Sequence, residues 1–141
     1  MADAIQNTFK QRIMNGSIDL DTDTIKVMLL DNSHTQNVDT HEFIDDVSGD
    51  EVSGTGYTAG GATLSNKAVT VDNTDNEGVF DADDVTWGSS TITARYAAIY
   101  KDTGTPSTSP IIAIIDFGSD KSSSAGDFTI SWAAEGILNL N

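Results

Sequence analysis

The sequence contains no cysteine, and basic residues are scarce. Without cysteine the chain can form neither a disulfide framework nor a thiolate zinc site, and it has no thiol nucleophile. Seven lysines and arginines stand against 22 aspartates and glutamates, which gives a formal net charge of −15. A field of that sign repels phosphate, so the composition argues against nucleic acid and anionic membranes as direct partners. Two explanations of the acidity stay open: attraction to a cationic protein surface, and solubility alone.

Long apolar runs are also missing. No stretch approaches the roughly 18 apolar residues of a membrane span, and the first seven residues lack a basic segment followed by an apolar run. These absences predict synthesis in an aqueous, cytoplasm-like compartment. Apolar residues still make up 38% of the 141 positions, which is too many for a disordered chain. The length predicts one domain, residues 1–141.

An apolar period of four residues marks the start of the chain. Ile5, Phe9 and Ile13 recur at this spacing, which predicts an amphipathic helix over about residues 3–15. Asp3 is the expected N-cap of this helix. Gly16 is the expected C-terminal stop, because glycine readily adopts the left-handed conformation that ends helices.

The body of the chain, residues 24–133, has the pattern of short strands. Residues 24–30 are apolar at both odd and even positions, which predicts a strand buried on both faces. Further strands are predicted over residues 67–72, 79–82, 85–87, 92–101, 111–117 and 128–133, separated by turn residues. An apolar C-terminal tail occupies residues 136–141. The expected fold is mainly β with a short N-terminal helix (α+β), built as an antiparallel sandwich or open barrel.

Residues 31–61 differ from the rest of the body. They are rich in Asp, Asn, Ser, Thr and Gly, and a short helical turn is expected only at residues 41–47. Connections of this length are seldom structureless inside a compact domain. We therefore predict that this segment is a loop that reaches a partner.

The search for catalytic motifs yields only fragments. His34 and His41 have too few companions for a zinc site, and no serine lies in a G-x-S-x-G elbow. The acids at 45–46 and 81–84 lack the aromatic cleft of a glycoside hydrolase. Residues 54–59 read G-x-G-x-x-A, a loose form of the dinucleotide-binding motif. That motif binds a dinucleotide only between a preceding strand and a following helix, and the flanking residues here predict neither. We predict no catalytic residue, no cofactor and no enzymatic activity.

Asp19, Asp21 and Asp23 form the D-x-D-x-D opening of a calcium loop. An EF-hand then requires Gly at the sixth position and Glu at the twelfth, where this chain has Thr24 and Leu30. No metal site is therefore predicted. A looser calcium site at this acidic turn stays open as an alternative.

Three segments, taken in order after a short helix, resemble small virion proteins of tailed bacteriophages and prophages. They are residues 18–27 (IDLDTDTIKV), 51–61 (EVSGTGYTAGG) and 95–104 (RYAAIYKDTG). The resemblance runs over nearly the whole chain. It implies a structural protein that decorates or cements the capsid exterior by binding the major capsid protein. It further implies a homo-oligomer, with a trimer expected.

Two alternatives remain beside this prediction. One is a tail, neck or fibre-associated structural protein. The other is a glycan-binding module on the virion surface, in which Trp87, Trp132 and the tyrosines stack on sugars. Candidate partner contacts are the apolar face of the helix, the tail and one aromatic residue of the polar segment: Ile5, Phe9, Ile13, Tyr57, Ile137, Leu138 and Leu140. Packing into the chain's own core is the alternative role for each of the apolar ones.

Overall fold

The structure is a computed structural model that describes residues 3–141. In that range the chain forms ten strands, one α-helix and three short 3-10 turns. The elements are β1 (Ala4–Ile5), α1 (Asn7–Met14), β2 (Ile25–Leu30), 3-10 turns at Ile44–Asp46 and Ser48–Asp50, β3 (Ala62–Thr63), β4 (Ala68–Asp72), β5 (Glu77–Asp81), β6 (Val85–Ser90), β7 (Thr93–Lys101), a 3-10 turn at Pro106–Thr108, β8 (Ile111–Ser122), β9 (Gly126–Ile130) and β10 (Leu138–Leu140). The prediction of a mainly β fold with a short N-terminal helix is confirmed.

Three antiparallel sheets pack in a sandwich-like arrangement. The largest has the strand order β1-β8-β7-β2-β3, the second β10-β5-β4, and the third is the pair β6-β9. The strands predicted from turn and apolar patterns are all present within a few residues of their expected bounds, and β8 continues to Ser122. The two-residue strands β1 and β3 are too short to leave an apolar pattern, and they were not predicted.

Strand β2 lies between two hydrophobic cores. Ile25, Val27 and Leu29 point into the larger core, whereas Met28 and Leu30 belong to a smaller core on the other face of the sheet. The strand is therefore buried on both faces, as its apolar residues at both odd and even positions predict.

The smaller core is covered by part of the polar segment at residues 31–61. Ile44 and Val47 are buried against Leu30, Tyr100 and Ile111. The two residues stand three apart, and that spacing places them on one side of a 3-10 turn. The segment that we expected to reach a partner thus packs, in this part, over the chain's own sheet.

Helix α1 is shorter than the predicted residues 3–15. Ala4 pairs with Ile114 of β8, and the Gln6 N–H donates to the Ile112 carbonyl at 3.1 Å, so the first residues extend the sheet instead. Asp3 does not cap the helix, because its Oδ2 accepts the Asp116 N–H at 2.7 Å. Gly16, with φ +77°, ends the helix as expected.

Candidate interaction surface

The seven predicted contact residues separate into buried and accessible groups. Phe9, Ile137 and Leu138 are buried in the larger core, so they hold the fold together and present no surface to a partner. Their apolar character reflects core packing, which was the alternative role considered for them. Ile5 and Ile13 are partly buried against the same core. Leu140 is 42% exposed and is the most accessible apolar side chain of the set.

Tyr57 holds residues 51–61 against the main sheet. Its hydroxyl donates to Glu51 Oε1 at 2.8 Å and accepts the Leu29 N–H at 3.0 Å. Burial, together with the neighbouring Glu51 carboxylate, raises the pKa of Tyr57 far above its ordinary value. Glu51 Oε1 also accepts the Gly60 N–H at 2.7 Å. The hydroxyl is thus committed to structure and is not free to bind a partner.

An apolar groove runs between the end of α1 and the β10-β5-β4 sheet. Its volume is about 400 Å³. One wall comes from the helix end and the turn after it, and the other from the three strands. The apolar side chains and glycines that line it are Ile13, Gly16, Ile18, Leu20, Val69, Gly78, Val79, Phe80, Leu138 and Leu140. Of these residues, only Ile13, Leu138 and Leu140 are predicted from the sequence to contact a partner.

Strand β4 carries the most exposed apolar residues of the β10-β5-β4 sheet. Val69 lies opposite Phe80, which lies opposite the buried Leu138. Val71 lies two residues further along the same face, yet the two valines are 53% and 70% exposed. The face of the sheet that packs against the core therefore continues past the core at β4, and no part of the described chain covers this strand.

Gly78 leaves a hollow in this face. It lies opposite both Val71 and Leu140, so it separates two exposed apolar side chains. A Cβ added at Gly78 would meet nothing closer than the Leu140 carbonyl oxygen at 4.0 Å. The space is open to an apolar side chain from outside.

The hairpin that joins β4 and β5 is acidic. Asp72, Asp75 and Glu77 lie on it, and none of the five ion pairs formed by residues 3–141 includes them. Backbone N–H groups of Thr74 and Asp75 donate to Asp72 Oδ1, which lowers the pKa of Asp72. Glu77 Oε1 also accepts a hydrogen bond from Asn139 Nδ2. The apolar edge therefore ends in negative charge that no ion pair neutralises.

The three aspartates of the possible calcium loop are used to build a turn. Asp19 Oδ1 accepts N–H groups from Asp21 and Thr22 at 3.0 and 3.2 Å, and hydrogen bonds from Thr22 lower the pKa of Asp19. Asp23 Oδ2 accepts the Asp19 N–H and pairs with Lys101 at 2.8 Å. Within residues 3–141 no three His, Cys, Asp or Glu side chains lie close enough to hold a metal ion.

The two histidines of the polar segment lie together. Their ring centroids are 5.5 Å apart, and buried His34 contacts Asp50 Oδ2 through Nδ1 at 3.1 Å. The buried Gln6 side chain donates to the His41 carbonyl at 3.0 Å and accepts from Gln36 at 3.1 Å. This polar network ties the N-terminal segment to residues 31–50. No spacing in the sequence signals it, because its members come from separate segments.

A second groove, of about 450 Å³, opens between β8 and β9. Phe117, Phe128 and Trp132 line it, with the charged side chains of Lys121 and Asp127. The indole of Trp132 is fixed, because its Nε1–H donates to the Asp83 carbonyl at 2.8 Å. Lys121 and Asp127 make no side-chain hydrogen bond or ion pair in the described part of the chain.

Comparisons with known proteins add no relative. A scan against protein-family models matches no family, and searches of curated proteins and of solved structures find no match. In the part of the chain that the structure describes, no helix has the length and apolar character needed to cross a bilayer.

Proposed function

We propose that this chain is a structural virion protein of a tailed bacteriophage. In this proposal it decorates the outside of the head as a homo-oligomer and stabilises the shell by binding the major capsid protein. The sequence resemblance supports the phage origin. The structural observation that carries a binding role is the exposed apolar strand β4 beside an open groove.

The physical basis of such binding is the multiplication of weak contacts. Only four large apolar side chains are exposed in residues 3–141, namely Met14, Val69, Val71 and Leu140. One copy therefore offers a small apolar contact. Several copies held together on a rigid lattice convert separate encounters into effectively intramolecular ones, which raises the overall affinity by about 10²–10⁴.

The number of copies per particle tests this proposal. Quantitative mass spectrometry of purified virions should give a copy number that capsid symmetry dictates. Particles that lack the protein should lose their DNA at a lower temperature than complete particles. A handful of copies confined to the tail by imaging of a labelled protein would contradict the proposal and favour the tail, neck or fibre alternative.

The groove between β8 and β9 favours a second candidate function, glycan binding. Aromatic side chains can stack on the apolar face of a sugar ring, and the unpaired Lys121 and Asp127 can donate to and accept from its hydroxyls. A glycan array should give hits that the K121A/D127N variant loses and that K10A, altered at an exposed lysine on α1, retains. An array without hits would end this candidate.

A further inference from the structure

We infer that strand β4 is a docking edge for a positively charged, extended segment of the partner protein, which adds to the β10-β5-β4 sheet as its fourth strand. The inference rests on the proposed function in that the partner is the coat protein. It goes further by naming the chemistry and conformation of the segment that binds.

The first support is the free edge. Strand β4 pairs with β5 along all five of its residues, and no described strand pairs with its other side. The backbone N–H and C=O groups on that side therefore lack a sheet partner. Such an edge is a template for another extended chain, and strand addition is a common way to bind peptides.

The second support is the side-chain pattern along this edge. Val69 and Val71 point to the core-facing side of the sheet, and Thr70 points to the other. An added strand with alternating apolar residues would place them beside the two valines, since neighbouring strands align side chains in pairs. The hollow at Gly78 lies in the same row as Val71 and leaves room for the end of a long side chain.

The third support is charge, which selects between possible occupants. Asp72, Asp75 and Glu77 form no ion pair at the end of the edge, and a second copy that paired through this same edge would bring three more carboxylates but only one cation, Lys67. Repulsion between like charges opposes that pairing. A segment rich in lysine or arginine complements the edge, as positive patches meet negative ones across protein interfaces.

An NMR titration with a synthetic peptide tests the inference without the coat protein. The probe is a capped seven-residue peptide of alternating methionine and lysine, so that long apolar side chains lie on the face of Val71 and Gly78, and its control replaces every lysine by glutamate. The lysine peptide should shift amide resonances of residues 68–72 most strongly, and added salt should weaken its binding. Shifts centred on the groove between β8 and β9, equal binding of the glutamate peptide, or no shifts would overturn the inference.

Two sets of variants test whether the carboxylates of Asp72 and Asp75 and the hollow at Gly78 contribute to peptide binding. D72N/D75N should bind the lysine peptide about threefold to tenfold more weakly at low salt, as expected for two exposed ion pairs. Its matched control, D45N/D120N, alters two exposed aspartates outside both grooves and has the same formal charge of −13, since each variant removes two of the 15 excess negative charges. The control should bind like wild type. G78V should fold normally, because its site has open space and no positive φ, but it should bind more weakly because valine fills the hollow.

Coat shells purified without this protein separate the inference from the proposed function. If wild-type chain does not bind such shells, the proposed function fails whatever the peptide does. If wild type binds them but D72N/D75N and G78V bind equally well, the function stands and the inference is overturned. If wild type binds the shells and both variants bind them more weakly, the proposed function and the inference are both supported.

Discussion

Replacing Tyr57 by phenylalanine should cost this protein much of its stability, although only one oxygen atom is removed. Leu29 lies opposite Ala97 of β7, but its carbonyl accepts the Val52 N–H, so its backbone polar groups point away from β7. On that side β3 reaches only Lys26 and Val27, and the Leu29 N–H depends on the Tyr57 hydroxyl. In Y57F this buried donor loses its partner, which costs about 1–3 kcal/mol, and the bond to the Glu51 carboxylate, worth about 1.5–3 kcal/mol, is also lost. Since Glu51 keeps its bond from Gly60, we expect a total of about 2–4 kcal/mol.

Urea denaturation followed by circular dichroism measures the free energy of unfolding directly. A loss of that size lowers the Tm by roughly 4 °C per kcal/mol for a chain of this length. The matched control is Y96F, because the Tyr96 hydroxyl makes no hydrogen bond in the described structure. It should change the free energy of unfolding by less than about 0.5 kcal/mol. If Y57F is as stable as Y96F, the assignment of Tyr57 as a structural anchor is refuted.

Two further predictions concern the same region. G61A should lower the free energy of unfolding by more than about 3 kcal/mol, because the new Cβ would lie 1.8 Å from the Val27 carbonyl oxygen. Its control is G16A, which has a similar positive φ but nothing within 4 Å of the new Cβ. Urea denaturation should show a loss of only about 1–2 kcal/mol for G16A. In an ultraviolet titration, Tyr57 and Tyr100 should stay protonated above pH 10, because burial raises their pKa in the folded protein. In the unfolded chain these tyrosines lose their protons at about pH 10. Their contribution to the free energy of unfolding is therefore complete below that pH and falls as the pH rises further. Ionisation of both tyrosines near pH 10 without unfolding would contradict this.

The sequence predicts the sheet better than it predicts the chain ends. Apolar residues at both odd and even positions of residues 24–30 correctly place β2 between two cores, because alternate residues of a strand face opposite sides of the sheet. The helix begins late for a reason that local propensity does not contain. The Gln6 N–H binds Ile112, more than a hundred residues away, and this pairing holds the preceding residues in a strand.

The interaction surface was only partly predictable for a related reason. Apolar residues in the tail and helix look alike whether they meet the chain's own core or a partner, so Phe9 and Leu138 could not be told from Leu140. Val69 and Val71 instead occupy a strand of ordinary alternating pattern. Their exposure depends on β4 being the last strand of its sheet, and strand order is a property of the fold, not of the local sequence.

The proposed docking edge also gives the acidity of the chain a physical role. An exposed strand with two valines is a site for aggregation between identical copies unless something opposes the pairing. Unpaired Asp72 and Asp75 at the end of β4, within a molecule of formal charge −15, oppose it by repulsion. The same charges attract a cationic strand, so one feature both rejects the wrong partner and favours the right one. Solubility and partner choice, which the composition left as alternatives, then have a common electrostatic cause.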